Sequence, residues 1–147
     1  DLHLLSRRQR QMCIRDRVLE TILQDVLDTP VSPELLPQED DKIVQKTEDI
    51  VGPYELHDFF IYHMVRFGDE PRKLYKKTKL AFKDKYDKDT IKKWLRLFYW
   101  RFFSQQFKRS CIPDGPKVGS VALSPRGDWR MPSDANVQIW LDEVERI

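Results

Sequence analysis

The chain has 147 residues, and its 26 Lys and Arg nearly balance its 24 Asp and Glu, which leaves a formal net charge of +2. This length suits a single domain-sized core, and no run of eighteen apolar residues offers a membrane-spanning segment. Two cysteines, Cys13 and Cys111, are too few for a disulfide framework, so we expect a cytoplasmic location.

Residues 1–17 differ from the rest of the chain in composition. They are dense in Arg and Gln and contain the letters MCIRDR, which look like translated adapter sequence from metagenomic assemblies. We interpret residues 1–17 as an artefactual or disordered leader and exclude them from the fold. A natural basic helix is the alternative interpretation.

The first regular pattern begins at Val18. Apolar residues at helical spacing predict a helix that ends at Asp28, Thr29 and Pro30. Pro30, Pro33 and Pro37 then predict an extended path, because proline fixes its own φ angle and keeps the preceding residue out of the helical region. The acidic stretch of residues 38–49 lacks an apolar face, and we interpret it as a mobile connector.

Four helices are predicted in the remainder of the chain. One opens at Val51, Gly52 and Pro53 and ends before Gly68. The next begins at Asp69 to Pro71 and runs to about Phe82, and a third is capped by Asp87. The last is predicted over residues 134–147, and capping of this helix would by itself explain Ser133. His57 and His63 are six apart, which does not suit a metal site on one helix face, so we interpret both as structural.

The charges are segregated along the chain. Eight acidic and two basic residues fall between residues 34 and 58, whereas residues 72–101 carry twelve basic and three acidic ones. A solvated helix face explains such a basic run. A basic face that binds nucleic acid or another polyanion is the alternative, and it would make the chain a non-catalytic helical module.

Residues 107–133 form a second kind of segment, which we term the charged loop. It is rich in Gly and Pro and carries Lys108, Arg109, Lys117, Arg126 and Arg130 against Asp114 and Asp128. Lys and Arg donate to anionic oxygens, and an Asp accepts from a hydroxyl or an amide. The loop therefore suits a polar ligand that carries phosphate, although a solvated connector has the same composition.

Four stretches resemble one enzyme family in the same order along the chain. They are DTPVSPELLP (28–37), VGPYELHDFF (51–60), FSQQFKRSCIPDGPKV (103–118) and LSPRGDWRMPSD (123–134). Residues 18–147 are thereby similar to the C-terminal part of the synthetase domain of glutamine-dependent NAD(+) synthase. That family uses ATP to adenylate deamido-NAD and then displaces AMP with ammonia, which a separate glutaminase domain supplies.

The resemblance implies roles for particular residues. Lys108, Asp128, Arg130 and Ser133 would contact deamido-NAD, whereas Ser32, perhaps together with Thr29, would contact ATP. No catalytic residue and no metal ligand is expected in this chain, and Mg²⁺ would be held by ligands outside it. The family also implies a homo-oligomer, and we expect neither a membrane nor a nucleic-acid partner.

Two parts of the family are missing from this sequence. The Ser-Gly-Gly-x-Asp-Ser phosphate loop does not occur, and neither do the catalytic residues of the glutaminase domain. We therefore expect a truncated chain, mostly α-helical as it stands, that forms the C-terminal portion of an α/β Rossmann-like ATP-pyrophosphatase domain (an adenine-nucleotide alpha-hydrolase). We also expect the isolated chain to be inactive.

Overall fold

The computed structural model describes residues 17–29 and 47–147. The chain divides into two compact units, Asp1–Thr47 and Glu48–Ile147. In the described ranges every regular element is an α-helix, and none of these residues lies in a strand. The prediction of a mostly helical chain is therefore confirmed.

Helix α1, Arg17–Asp28, is the described element of the first unit. It ends where the Asp28, Thr29 and Pro30 signal predicts. The Thr29 hydroxyl donates to the carbonyl of Asp25 at 2.8 Å and so satisfies an oxygen of the last helical turn. Of the predicted connector, residues 38–46 lie outside the described residues, and residues 47–49 are helical.

Six further helices follow in chain order: α2 Thr47–Val51, α3 Tyr54–Phe67, α4 Pro71–Ala81, α5 Lys88–Ser104, α6 Gln106–Ser110 and α7 Gln138–Glu145. Their ends agree with several local signals. Gly68 adopts a left-handed conformation with φ 64° after α3. The Asp87 side chain accepts from the amide of Thr90 at 2.7 Å and caps α5. These predictions are confirmed.

The start of the last helix was predicted wrongly. Helix α7 begins at Gln138 and not at Asp134, because residues 133 and 134 form a turn. The residue before α7 is Val137, which makes no side-chain capping hydrogen bond, and the Asn136 side chain accepts from the amide of Gln138 at 2.7 Å. Ser133 lies too far before Gln138 to cap this helix, because a capping side chain binds the amide two or three residues after it.

The core of the second unit surrounds α5, which contacts α3, α4, α6 and α7. Six side chains of this core are fully enclosed: Leu56, Phe60, Leu74, Leu95, Tyr99 and Val144. They come from α3, α4, α5 and α7, at positions where helical spacing predicts an apolar face. Each such side chain contributes roughly 2 kcal/mol by leaving water.

The two histidines of α3 have protein partners. The Nε2 atom of His57 lies 2.5 Å from the carbonyl oxygen of Val51, and burial lowers the pKa of His57 below its ordinary value. His63 Nδ1 lies 3.2 Å from Asp69 Oδ2. These contacts agree with a structural role for both residues. No helix in the described part of the chain is long and apolar enough to cross a membrane.

Candidate functional site

The charged loop is attached to the core by three half-buried apolar side chains. Leu123, Trp129 and Met131 pack against the core cluster, and the Trp129 ring meets the Phe102 ring of α5 edge to face, with centroids 5.1 Å apart. The residues on either side of Trp129, Asp128 and Arg130, are exposed. This alternation, which is typical of an extended segment, presents the charged side chains to solvent.

Asp128 organises the middle of the loop. Its Oδ2 atom accepts from Lys117 Nζ at 2.6 Å and from the backbone amide of Ala122 at 2.9 Å. These hydrogen bonds lower the pKa of Asp128 below its ordinary value. Asp128 is therefore in an ion pair with Lys117 of the same loop.

Arg126 closes the loop at a second place. Its guanidinium forms an ion pair with Asp114 and donates to the carbonyl of Ile112. Arg126 is thereby engaged with residues more than ten positions earlier in the chain, and both acidic residues of the loop are in ion pairs with basic residues of the same loop.

Arg109 is directed inward. Its Nε atom donates to Oε1 of Gln106 at 2.8 Å, and Nη2 donates to the carbonyl of Phe102. Its guanidinium carbon lies 4.5 Å from the centroid of the Phe102 ring. Burial lowers the pKa of Arg109 below its ordinary value, and the surrounding contacts show that this cation belongs to the fold.

Two of the five basic residues of the loop remain. Lys108 and Arg130 are exposed, and the side chain of neither forms a hydrogen bond or an ion pair with the described residues. The Lys108 ammonium lies 6.0 Å from the centroid of the Phe107 ring. A cation without an internal partner is available to an external anion at the smallest cost. The structure thus separates Lys108 and Arg130 from the other three.

Three further residues were predicted to contact deamido-NAD or ATP: Ser133, Thr29 and Ser32. Ser133 lies in an exposed turn before α7, and Thr29 belongs to the first unit, where its hydroxyl is bonded to Asp25. Ser32 lies outside the described residues.

Sequence reasoning missed the buried residues that support the loop. Gln106 is fully enclosed and binds Arg109, while Phe102 lies between Arg109 and Trp129. The one available signal was spacing, since Phe102, Gln106 and Arg109 recur at intervals of four and three and so share a helix face. The period does not show which polar side chain on that face is buried.

The basic run over residues 72–101 is partly neutralised. Asp69 is fully buried and lies 2.7 Å from Lys73 Nζ and 2.5 Å from Lys77 Nζ. Burial alone raises the pKa of Asp69, but the hydrogen bonds from the two lysines outweigh it and leave that pKa below its ordinary value.

Two further carboxylates engage this run. Lys85 pairs with Glu55 at 2.6 Å, and Arg96 pairs with Glu145 at 2.7 Å. Together with the pairs of Asp69, these contacts bring residues from outside the run onto its surface. The run therefore carries less free positive charge than its composition indicates.

Within residues 17–29 and 47–147 no three His, Cys, Asp or Glu side chains come together as the ligands of a metal ion do.

Comparison with known proteins gives clear relatives, although no protein-family model matches the chain. The chain is 43% identical to the glutamine-dependent NAD(+) synthetase of Mycobacterium leprae in an alignment that covers 87% of this chain and 22% of that protein. It is 41% identical to the proteins of the same name from Mycobacterium bovis and Mycobacterium tuberculosis H37Rv, in alignments that cover 85% of this chain and 21% of theirs. The chain thus spans about a fifth of the length of these relatives, and the resemblance predicted from the sequence is confirmed.

Proposed function

Because this chain is homologous to a stretch of the glutamine-dependent NAD(+) synthetases over most of its length, we propose that it is part of such an enzyme and binds deamido-NAD through the charged loop. The whole enzyme would convert deamido-NAD to NAD with ATP, through an adenylated intermediate and with ammonia from glutamine. It would be a carbon-nitrogen ligase whose amido donor is glutamine.

One observation about the loop carries the proposal. Of its five basic residues, Lys108 and Arg130 alone lack an internal anionic or carbonyl partner in the described chain, and these are the two basic residues that the resemblance assigns to the dinucleotide. Deamido-NAD carries a nicotinate carboxylate and a pyrophosphate. Both groups are anions that Lys and Arg bind by charge-assisted hydrogen bonds.

The roles of the loop residues follow from their chemistry. Lys108 would hold the nicotinate carboxylate and reduce the repulsion between that anion and ATP as the carboxylate attacks the α-phosphate. Arg130 would grip a phosphate or carboxylate through two parallel donors. The free oxygen of Asp128 and the hydroxyl of Ser133 would bind ligand hydroxyls, while the contacts of Asp128 with Lys117 and Ala122 hold the loop in shape.

The remaining components are proposed from homology. ATP would contact Ser32 and Thr29 and lie on the α/β Rossmann-like part of the synthetase domain, which also would supply the ligands of Mg²⁺. Bound Mg²⁺ would neutralise charge on the ATP phosphates. Ammonia would come from a glutaminase domain, and the synthetase would be a cytoplasmic homo-oligomer without a membrane or nucleic-acid partner.

Titration of the purified 147-residue chain with deamido-NAD tests the proposal. Lys108→Ala and Arg130→Ala should each weaken binding about tenfold to a hundredfold, because each removes a hydrogen bond between charged groups. Lys76→Ala is the matched control, since Lys76 is an exposed lysine of α4 outside the loop and should leave the affinity unchanged. Isothermal titration calorimetry gives the three dissociation constants.

The same titrations test the alternative function, in which the basic helical face binds nucleic acid or another polyanion. Equal losses in all three variants, or equal affinity for deamido-NAD and for other nucleotides of the same charge, would contradict a dinucleotide site. Binding of single-stranded nucleic acid that weakens steeply with added salt would instead support the basic helical module.

A further inference from the structure

Arg109 donates a hydrogen bond to a backbone carbonyl in the last turn of helix α5. The carbonyl of Phe102 belongs to the last turn of that helix, where carbonyl groups lack intrahelical partners, and it accepts from Nη2 of Arg109. The Nε donor is held at 2.8 Å by Oε1 of Gln106, whose side chain is fully buried. The orientation of the Arg109 guanidinium is therefore fixed by a backbone carbonyl and by a buried side chain, neither of which is free to rotate into solvent.

The Phe102 ring connects Arg109 with the far end of the charged loop. The guanidinium of Arg109 lies 4.5 Å from the ring centroid, and the Trp129 ring meets the same ring edge to face at 5.1 Å. Arg109 directly follows Lys108, and Trp129 directly precedes Arg130. The two segments that carry the free cations thus pack against one aromatic side chain.

We propose that Arg109 is a positioning residue that sets the Lys108 segment against the Asp128 to Arg130 segment by clamping Phe102, and that it does not touch the dinucleotide. The inference rests on the proposed function, because it explains how that same site is held. It also explains why a loop that binds an anion directs one of its cations inward.

A lysine cannot replace Arg109 in this arrangement. The planar guanidinium donates in two directions and stacks on the ring at the same time, whereas an ammonium is a compact charge on a flexible stem. Arg109→Lys therefore keeps the charge and loses the clamp, while Arg109→Met loses both and keeps much of the volume. A residue that contacts the ligand through its charge would be rescued by Lys, but a positioning residue would not.

The test combines binding with a spectroscopic signature on the 147-residue chain. Calorimetric titration with deamido-NAD should show that Arg109→Lys and Arg109→Met weaken binding by the same factor, about tenfold. In ¹H–¹⁵N spectra the indole signal of Trp129, assigned with Trp129→Phe, should shift in both variants and stay in place in Lys108→Ala. The indole signal of Trp94, which packs under Gly52, reports whether the core is intact.

Each outcome bears on one of the two proposals. An unmoved Trp129 signal in Arg109→Lys overturns the positioning role, and so does near wild-type affinity in that variant beside a loss in Arg109→Met. If the wild-type chain does not bind deamido-NAD, the proposed function fails, and the Trp129 signal still decides whether Arg109 clamps Phe102. A simultaneous shift of the Trp94 signal would show general unfolding and overturn the specific role.

Discussion

At the scale of single residues, the charged loop shows that composition overstates available charge. Its five cations and two anions suggest a surplus of three positive charges. However, the side chains of Lys117, Arg126 and Arg109 all donate hydrogen bonds to other residues of the chain. The ion pairs of exposed residues contribute little stability. Their effect here is to select which cations remain available, and this selection supports Lys108 and Arg130 as ligand contacts.

The depressed pKa of Asp128 predicts a pH-dependent loop. A carboxyl whose pKa is lower in the folded state than in the unfolded state stabilises the folded state at any pH above its unfolded pKa. This contribution is lost as the pH falls through the folded pKa. The hydrogen bond from the Ala122 amide should therefore break below about pH 3.8, the ordinary value for Asp. An NMR titration that follows the Ala122 amide shift measures this midpoint.

Asp128→Asn serves as the control for that titration, because an amide side chain does not titrate in this range. The Ala122 amide of the variant should show no step in the same pH range. A midpoint above 3.8 in the wild-type chain would contradict the described contacts of Asp128 with Lys117 and Ala122.

At the scale of elements, the junction between α2 and α3 depends on one glycine. Gly52 has φ +95°, and a Cβ at this position would lie 2.5 Å from Cδ2 of Trp94 in α5. Both the backbone conformation and the contact exclude a side chain. Trp94 can pack beneath this junction because Gly52 presents bare backbone to it.

Gly52→Ala should destabilise the chain by about 2 to 4 kcal/mol, since it adds a steric conflict to an unfavourable φ. Gly68→Ala is a matched control, because Gly68 also has a positive φ of 64° but no atom lies within 4 Å of its Cβ position. That variant should lose only about 1 kcal/mol. Urea denaturation of both variants gives the comparison, and equal losses would show that Trp94 moves aside freely.

At the scale of the whole molecule, the helices form a support for the loop. Helix α5 contacts the other long helices of the second unit, and its C-terminal end carries Phe102, on which both parts of the site rest. A rigid helix at the centre of a core holds loop residues in place more accurately than a loop could by its own contacts.

The purified 147-residue chain should form no NAD from deamido-NAD, ATP, Mg²⁺ and ammonium. Adenylyl transfer requires both reactants to be held in line, and the chain spans about a fifth of the length of the relatives that it matches. An alcohol dehydrogenase assay for NAD, with a complete relative from Mycobacterium as the positive control, measures the rate. Turnover above the background without enzyme would contradict this prediction.

The sequence alone determined most helices, because their signals are local. Proline at the start of α4, Asp87 before α5 and Gly68 after α3 act within one turn of the backbone. The resemblance to NAD(+) synthetases was also visible in the sequence, in long matching stretches such as FKRSCIPDGPKV (107–118). The start of α7 was missed because Ser133 ahead of an apolar period resembles a helix start, whereas the turn at residues 133 and 134 delays the first helical residue to Gln138.

Only the tertiary structure decided which charges of the loop are available. Lys117 meets Asp128 across eleven positions, Arg126 meets Ile112 across fourteen, and Trp129 meets Phe102 across the whole loop. Side chains so far apart in sequence carry no periodic relation that could predict their contact. Their pairing follows from how the backbone folds back on α5, and that path is settled by the packing of the core.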